Sequence, residues 1–511
     1  MDQRRKFYGK LQRMETLERS SDSESLNSSQ SKPDPYVVAV DIGTTSLRSH
    51  VYDKREILSP KPGWSEMNPD VLLQQVIDCV KESVGAAGLF PHQVTCMGIS
   101  VQRNTFITWD RETGKPFHNF ITWRDLRSRD MVKNWNSSVR MKFLNNGSSF
   151  LHLFTRQKRF LAASVLKFIT PQVTMRLIWM LENTDQMKER AYEGQLMFGC
   201  METWLLWKLT GEKFEWSTVV CNLLNIPMSI LPEIRDSSGD FGKTDPSIFG
   251  CPISITSLVG DQSAAMFGEC CFDPGDVKVT MGTGTFVDLN TGNTPHASVA
   301  GLYPLVGWKI GDEIVFIAEG IISDTGSVME WIKSIDFYED VSETAQIAQS
   351  VPDSDGVYFI SAFSGLQAPI NDDKAVTLML GMKPTTTKAH MIRAVLESLA
   401  FRFKILYEAI LTETKLQLSY IRVDGGVCNN DFLMQLMSDL TYQTIDRAKQ
   451  GGDMTSLGAA FLAGLAAGVW KEKSELTKIR QSEKVFHPQD TWSQYKHTFN
   501  QWERAVQRSK E

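Results

Sequence analysis

The strongest constraint in this sequence is a glycine turn that recurs three times, each time where a strand-like run ends. The first is Val40-Asp41-Ile42-Gly43-Thr44-Thr45-Ser46, a carboxylate at a strand end followed by a glycine and three hydroxyls. The second is Thr280-Met281-Gly282-Thr283-Gly284-Thr285-Phe286, and the third runs from Val423 through Asp424, Gly425 and Gly426 to Asn430. Glycine lets a ligand approach the backbone, neighbouring N–H and O–H groups face phosphate oxygens, and a strand-end Asp can hold a metal ion through water. Taken singly, the first is equally readable as a plain structural turn, and the third reads better as a plain strand-to-helix turn, with Asn430 as either an N-cap or a purine contact. Two turns of the same chemistry in different halves of the chain suggest a clamp.

The surrounding pattern is α/β. Residues 36–43 read as a buried strand running into the first turn, with 47–53 as its hairpin partner. Helical apolar spacing at 70–88, 173–182 and 202–209 alternates with strand-like runs at 94–101 and 120–123. A second strand-rich block, 276–289 and 313–318, precedes helices at 389–413 and 430–442. The apolar run Leu457–Trp470 is broken by glycines and is shorter than the roughly 20 residues that span a bilayer, so it reads as a tightly packed buried helix. A length of 511 residues implies more than one domain.

Charge and composition act as exclusions. With 54 basic and 60 acidic residues the net charge is −6, so no broad electrostatic footprint for nucleic acid or anionic lipid is expected, and no nucleic-acid partner. Eight scattered cysteines without a C-x-x-C pair exclude zinc and redox motifs and fit a reducing, cytoplasmic setting. Residues 1–35, rich in serine and charge without Val or Ile, read as a flexible polar tail that lacks a signal-peptide core. The run Gly239-Asp240-Phe241-Gly242-Lys243-Thr244 imitates the end of a P-loop, but Ser237 stands where its leading glycine belongs. It is expected to be a solvent-exposed loop.

The order of the three turns resembles the actin, heat-shock protein and sugar-kinase superfamily. Gly260-Asp261-Gln262 with its following helix, Phe363–Pro369, Gly381 through His390 to Glu397, Thr203–Gly211 and Leu457–Trp470 narrow the resemblance to the FGGY carbohydrate kinases, in their glycerol kinase branch. The similarity covers residues 36–490. It implies an α/β, two-lobed, ribonuclease H-like fold closing over ATP. A substrate-side lobe at 36–266, a nucleotide-side lobe at 267–490 and a C-terminal helix at 491–511 follow from it.

Phosphoryl transfer needs an in-line alcohol, neutralised phosphate charge and a proton acceptor. By resemblance Asp261 is that base, the alternative being a cap on a helix starting at Gln262. Arg103, Asn104, Asp261 and Gln262 would contact the substrate. Thr44, Thr45, Ser46, Arg48, Thr283, Gly326, Gly426 and Asn430 would contact ATP, and Asp41 would hold Mg²⁺ through water. Three departures stand out. Asn104 replaces the Glu of the family's Gln-Arg-Glu-Thr, the aromatic contact expected before Arg176 is missing near Pro171 and Gln172, and the chain is shorter than its relatives near 54–61 and 214–215. The implied activity is ATP-dependent phosphorylation of glycerol to sn-glycerol 3-phosphate, in a protein without a membrane span that, like its relatives, forms a homodimer. Two alternatives stay open: an impaired kinase serving as a regulatory binding protein, and a kinase for another small sugar or polyol.

Overall fold

Two sheets built on one plan organise the chain. The structure, a computed structural model, describes residues 35–43, 46–48, 53–54, 58–164, 167–185, 187–210, 235–296, 298–418, 420–449 and 454–510. Thr44, Thr45, the tail up to residue 34 and the short segment at 214–215 lie outside the described residues, as does part of 54–61.

The first sheet has five strands, in the order Asp53–Lys54, Ser46–Arg48, Tyr36–Ile42, Val94–Val101 and Ser254–Gly260. Tyr36–Ile42 pairs antiparallel with the strand after its glycine turn and parallel with Val94–Val101, which in turn runs parallel to Ser254–Gly260. The second sheet has seven strands, in the order Tyr303–Ile310, Glu313–Ile322, Thr285–Gly292, Val277–Met281, Ile421–Asp424, Ile445–Ala448 and Ser482–Phe486. Its central strand, Val277–Met281, again pairs antiparallel with the strand after its glycine turn and parallel with the next, Ile421–Asp424. In both sheets, therefore, a turn follows a central strand whose other neighbour is parallel. The chain reaches that neighbour by a crossover, and ligands settle at the carboxyl ends of parallel strands.

Helices begin where the residues supply caps. Asn68 Oδ1 accepts from the N–H groups of Asp70 and Val71 at 3.0 and 3.1 Å, and Pro69 opens the helix Pro69–Ala86 where its missing N–H costs nothing. The long helix Lys388–Thr414 is buried along most of its length and anchors the core of the second sheet, which also encloses Trp502. A separate core under the first sheet holds Trp109 and Trp204.

The apolar run predicted to be a buried helix forms Met454–Ala467. This helix packs on strands of the first sheet, far from it in sequence, and against the helix Asp261–Gly268. A Cβ at Gly458 would lie 1.8 Å from the Ala264 carbonyl, so glycine is what lets the two helices touch. Ser238 Oγ donates to Leu462 O at 2.8 Å and Thr256 Oγ1 to Ala463 O at 3.0 Å, tying the end of the helix to the sheet. No helix among the described residues is long and apolar enough to cross a membrane.

The loop at 239–244 departs from expectation. Instead of facing solvent throughout, it buries Phe241 and Thr244, with Ser238 beside them. Bridges from Ser238 to Ser257 and from Lys243 to Ser254 lay it along the edge of strand Ser254–Gly260, where an open edge would otherwise expose its hydrogen-bonding groups.

Candidate active site

Asp261 is the first residue of the helix Asp261–Gly268, directly after strand Ser254–Gly260. Its Oδ1 accepts the Gln262 N–H at 2.8 Å, but Gly260 holds the N-cap position and the helix starts at Asp261 itself, not at Gln262 as the capping alternative anticipated. About a quarter of its side chain, 24%, nevertheless stays open. Val101 pairs with Gly260, so the two parallel strands end together and bring Arg103 beside Asp261, with Nε 3.5 Å from Oδ1. The Arg103 guanidinium also donates to Glu319, on strand Glu313–Ile322 of the second sheet. This ion pair joins the two sheets at the candidate base.

Glu319 belongs to a buried ladder that no motif announces. Cross-strand register places Lys278 opposite Asp288 and Asp288 opposite Glu319. Lys278 Nζ lies 2.7 Å from Asp288 and donates to Gln262 Oε1 at 2.6 Å and to Thr280 Oγ1 at 2.8 Å. Adjacent like charges in a sheet repel, so Asp288 and Glu319 persist because Lys278 and Arg103 flank them. Burial raises the Asp261 carboxyl above its ordinary value, against the opposing pull of Arg103, the Gln262 N–H and Lys278. Glu319 is likewise raised by burial, with Arg103 opposing and Asp288 reinforcing. For Arg103 burial works toward deprotonation, but Glu319, Asp261 and Asp288 outweigh it and hold the guanidinium charged.

Asn104 is exposed and left-handed, at φ 60°, a conformation Asn tolerates better than most residues. Its carbonyl accepts from Arg176 Nη2 at 2.6 Å. Arg176 is fully buried and also donates to the carbonyls of Pro171, Ile121 and Thr122. It therefore fixes the loop carrying Asn104 to the segment where the aromatic contact is missing. Burial lowers its pKa to about 10.

The second and third turns meet, Gly425 lying against Met281. The N–H of Gly326, at the start of helix Gly326–Ser334, donates to Gly282 O at 3.1 Å, and those of Thr325 and Ser327 to Thr283 O at 3.2 and 3.1 Å. A Cβ on Gly326 would lie 2.4 Å from Gly282 O. Gly425, at φ 94° and ψ 160°, occupies a region that only glycine visits readily, and a Cβ there would lie 2.5 Å from Met281 O. Gly426 faces open space. Asn430 is an N-cap: Oδ1 accepts from Leu433 N at 2.9 Å, and Nδ2 donates to Thr344 Oγ1 at 3.0 Å. Both of its polar groups thus serve the helix Asp431–Thr441 and its neighbour.

Gly425→Ala is expected to destabilise the fold by ~1–3 kcal/mol from backbone strain alone, with the Met281 clash adding to it. Urea unfolding of the two proteins measures this, and equal midpoints would contradict the geometry.

In the first turn, Asp41 is buried at the end of strand Tyr36–Ile42 and pairs in register with Arg48 and Ser100. Ser46 and Arg48 lie on the hairpin strand, while Thr44 and Thr45 are outside the described residues. No group of three or more His, Cys, Asp and Glu suited to a metal occurs among the described residues. A single strand-end carboxylate suits an ion that arrives on phosphates, the usual mode of Mg²⁺, better than one in an all-protein cage.

Sequence reasoning passed over Lys278, Asp288, Glu319 and Arg176. The available signal was a lone charge inside an apolar strand, as in Val277-Lys278-Val279, Val287-Asp288-Leu289 and Ala318-Glu319-Gly320. Such a charge rarely lies fully buried unless paired.

Comparison with known proteins identifies the family. Residues 36–215 match the N-terminal domain, and 277–467 the C-terminal domain, of the FGGY family of carbohydrate kinases. A Bos taurus protein named Glycerol kinase 5 is 50% identical, over 94% of this chain and 97% of its own. Glycerol kinase 2 of Thermotoga maritima is 33% identical over 93% of this chain and 98% of its own. The crystal structure of Plasmodium falciparum glycerol kinase with ADP shares 28% identity and superposes with a TM-score of 0.81, over 94% of this chain and 99% of that one. With both family domains present in order and the fold shared along nearly the whole chain, the protein belongs to the FGGY family of carbohydrate kinases and is a kinase.

Proposed function

We propose that this kinase transfers the terminal phosphoryl group of ATP to glycerol, giving sn-glycerol 3-phosphate, with Asp261 as general base. The observation that carries the reading is the Asp261–Arg103 pair at the ends of two parallel strands, one carboxylate oxygen tied to the Gln262 N–H and part of the side chain open. A polyol hydroxyl oxygen attacks the γ-phosphorus. The new P–O bond forms as the bond to the β-phosphate oxygen breaks, and the hydroxyl proton passes to the Asp261 carboxylate. Arg103, braced by Glu319, orients a substrate hydroxyl, and Gln262, held by Lys278, offers its amide to another. Thr283, Gly326 and Gly426 would contact the nucleotide together with Ser46 and Arg48, whereas both polar groups of Asn430 are committed within the protein. Asp41 is the residue that would hold, through water, a Mg²⁺ brought with ATP, and that ion would supply neutralisation of the phosphate charge.

Asn104 supports a second reading, a kinase for another small polyol or sugar. A neutral, exposed amide replaces the carboxylate that would bind paired hydroxyls, and so weakens selectivity for glycerol. ADP formation across a panel of trioses, tetritols, pentuloses and glycerol separates the readings. The highest kcat/KM with glycerol upholds the first, and the highest with a larger substrate replaces it.

The charges around Asp261 also set the pH profile. Its raised pKa means the active carboxylate form is lost on acidification earlier than for an ordinary carboxylate. Asp288 raises that pKa and Arg103 lowers it. In kcat/KM profiles, Asp288→Asn is therefore expected to move the acid limb to lower pH, and Arg103→Gln to higher pH. Parallel shifts, or none, would remove Asp261 as the titrating group.

A further inference from the structure

The helix Val139–Thr155 turns its apolar side outward. Met141 and Ser148 face the protein, whereas Val139, Phe143, Phe150, Leu153 and Phe154 are 82, 79, 62, 72 and 70% exposed. At 100° per residue, 139, 143, 150 and 154 form one stripe opposite 141 and 148. The Phe150 and Phe154 rings lie 4.8 Å apart on that stripe. So large an outward apolar face calls for a covering surface.

The local charge identifies that surface. Between Asp130 and Glu182 the sequence holds no acidic residue, although the whole chain has a net charge of −6. Residues 139–169 contain six Lys or Arg side chains, among them Arg140, Lys142, Arg156 and Lys167, all exposed. Arg140 and Lys142 sit on either flank of the stripe, where their heads can reach up toward an anionic plane while the rings point into it. The overall charge balance conceals this local surplus.

We propose that Val139–Thr155 docks the kinase on an anionic lipid bilayer, lying in the interface plane with Phe143, Phe150 and Phe154 at the acyl boundary and its cations at the headgroups. A second copy of this chain is the poorer occupant. A two-fold contact on this helix would bring two acid-free, basic segments together with nothing to neutralise them. The helix is also too short and too charged to span, so it lies on the membrane.

Flotation of the full chain with phosphatidylcholine vesicles, with and without about one-third phosphatidylserine, tests the proposal. The wild type is expected to float with the anionic vesicles only, and less at 0.5 M than at 0.1 M salt. Phe150→Asp with Phe154→Asp should reduce flotation by at least ~10-fold with an unchanged thermal transition. Arg140→Glu with Lys142→Glu should abolish the preference for phosphatidylserine. Absence of wild-type flotation overturns the proposal, as does equal flotation of the Phe150/Phe154 variant. A dimer in sedimentation that the same variant dissociates, without vesicle binding, also overturns it and assigns the face to a second copy.

Discussion

Asp261→Asn is expected to lower glycerol-dependent ADP formation by ~10²–10⁴-fold, the range a positioned proton acceptor contributes. The substitution keeps the size of the side chain and an oxygen able to accept the Gln262 N–H, so the start of the helix at residue 261 should survive. What it removes is the proton-accepting carboxylate and the negative partner of Arg103. The loss should fall on kcat, because the base acts as the proton leaves, while KM for ATP stays near the wild-type value. Unchanged turnover, with fold confirmed by circular dichroism, would leave Asp261 only its bond to the Gln262 N–H at the start of the helix.

Lys278→Met should have the largest effect on stability. Lys278 and Asp288 both have fully buried side chains, 2.7 Å apart. Removing one member of such a pair strands the other charge and costs ~3–5 kcal/mol. Glu319 lies opposite Asp288, so the stranded carboxylate would also face a like charge with only Arg103 left to offset both. Gln262 loses its donor at the same time, and KM for the polyol is expected to rise. Adding Asp288→Leu to Lys278→Met should recover most of the lost stability, since a hydrophobic pair of similar volume avoids the desolvation cost. The recovery should not extend to KM. Urea midpoints and KM values for the two variants check both halves. A midpoint for Lys278→Met equal to wild type would mean that the pair is not buried as described.

The parts of the fold legible in the sequence were those enforced locally. Strand Val94–Val101 and the helices near 69–86, 388–414 and 431–441 follow from periodicity and caps within a few residues of each boundary. The Gly-Thr-Gly and Asp-Gly-Gly turns were legible because Gly284 and Gly425 sit where a side chain would strike the carbonyl of Ile322 or Met281, and few other residues survive there. What stayed hidden depends on register between distant strands. Nothing near residue 319 in the sequence reveals that Glu319 faces Asp288 and reaches Arg103, which follows the end of a strand of the other sheet. Arg176 gathers four carbonyls from three separate segments, a role that exists only once those segments have folded together. The loop at 239–244 misled for a related reason: its polar, glycine-rich composition signals exposure, yet the strand edge beside it needed covering. Overall net charge likewise concealed the acid-free stretch between Asp130 and Glu182.

The proposed role of the Asp261–Arg103–Glu319 arrangement is phosphoryl transfer to a polyol. Its most direct test is single-turnover transfer from γ-³²P-labelled ATP to glycerol by the wild-type chain, beside Asp261→Asn, with the product identified as sn-glycerol 3-phosphate. Labelled sn-glycerol 3-phosphate is expected from the wild type and almost none from the variant. Labelled product in equal amounts from both, or nucleotide binding with no transfer to any polyol by the folded wild type, would contradict it.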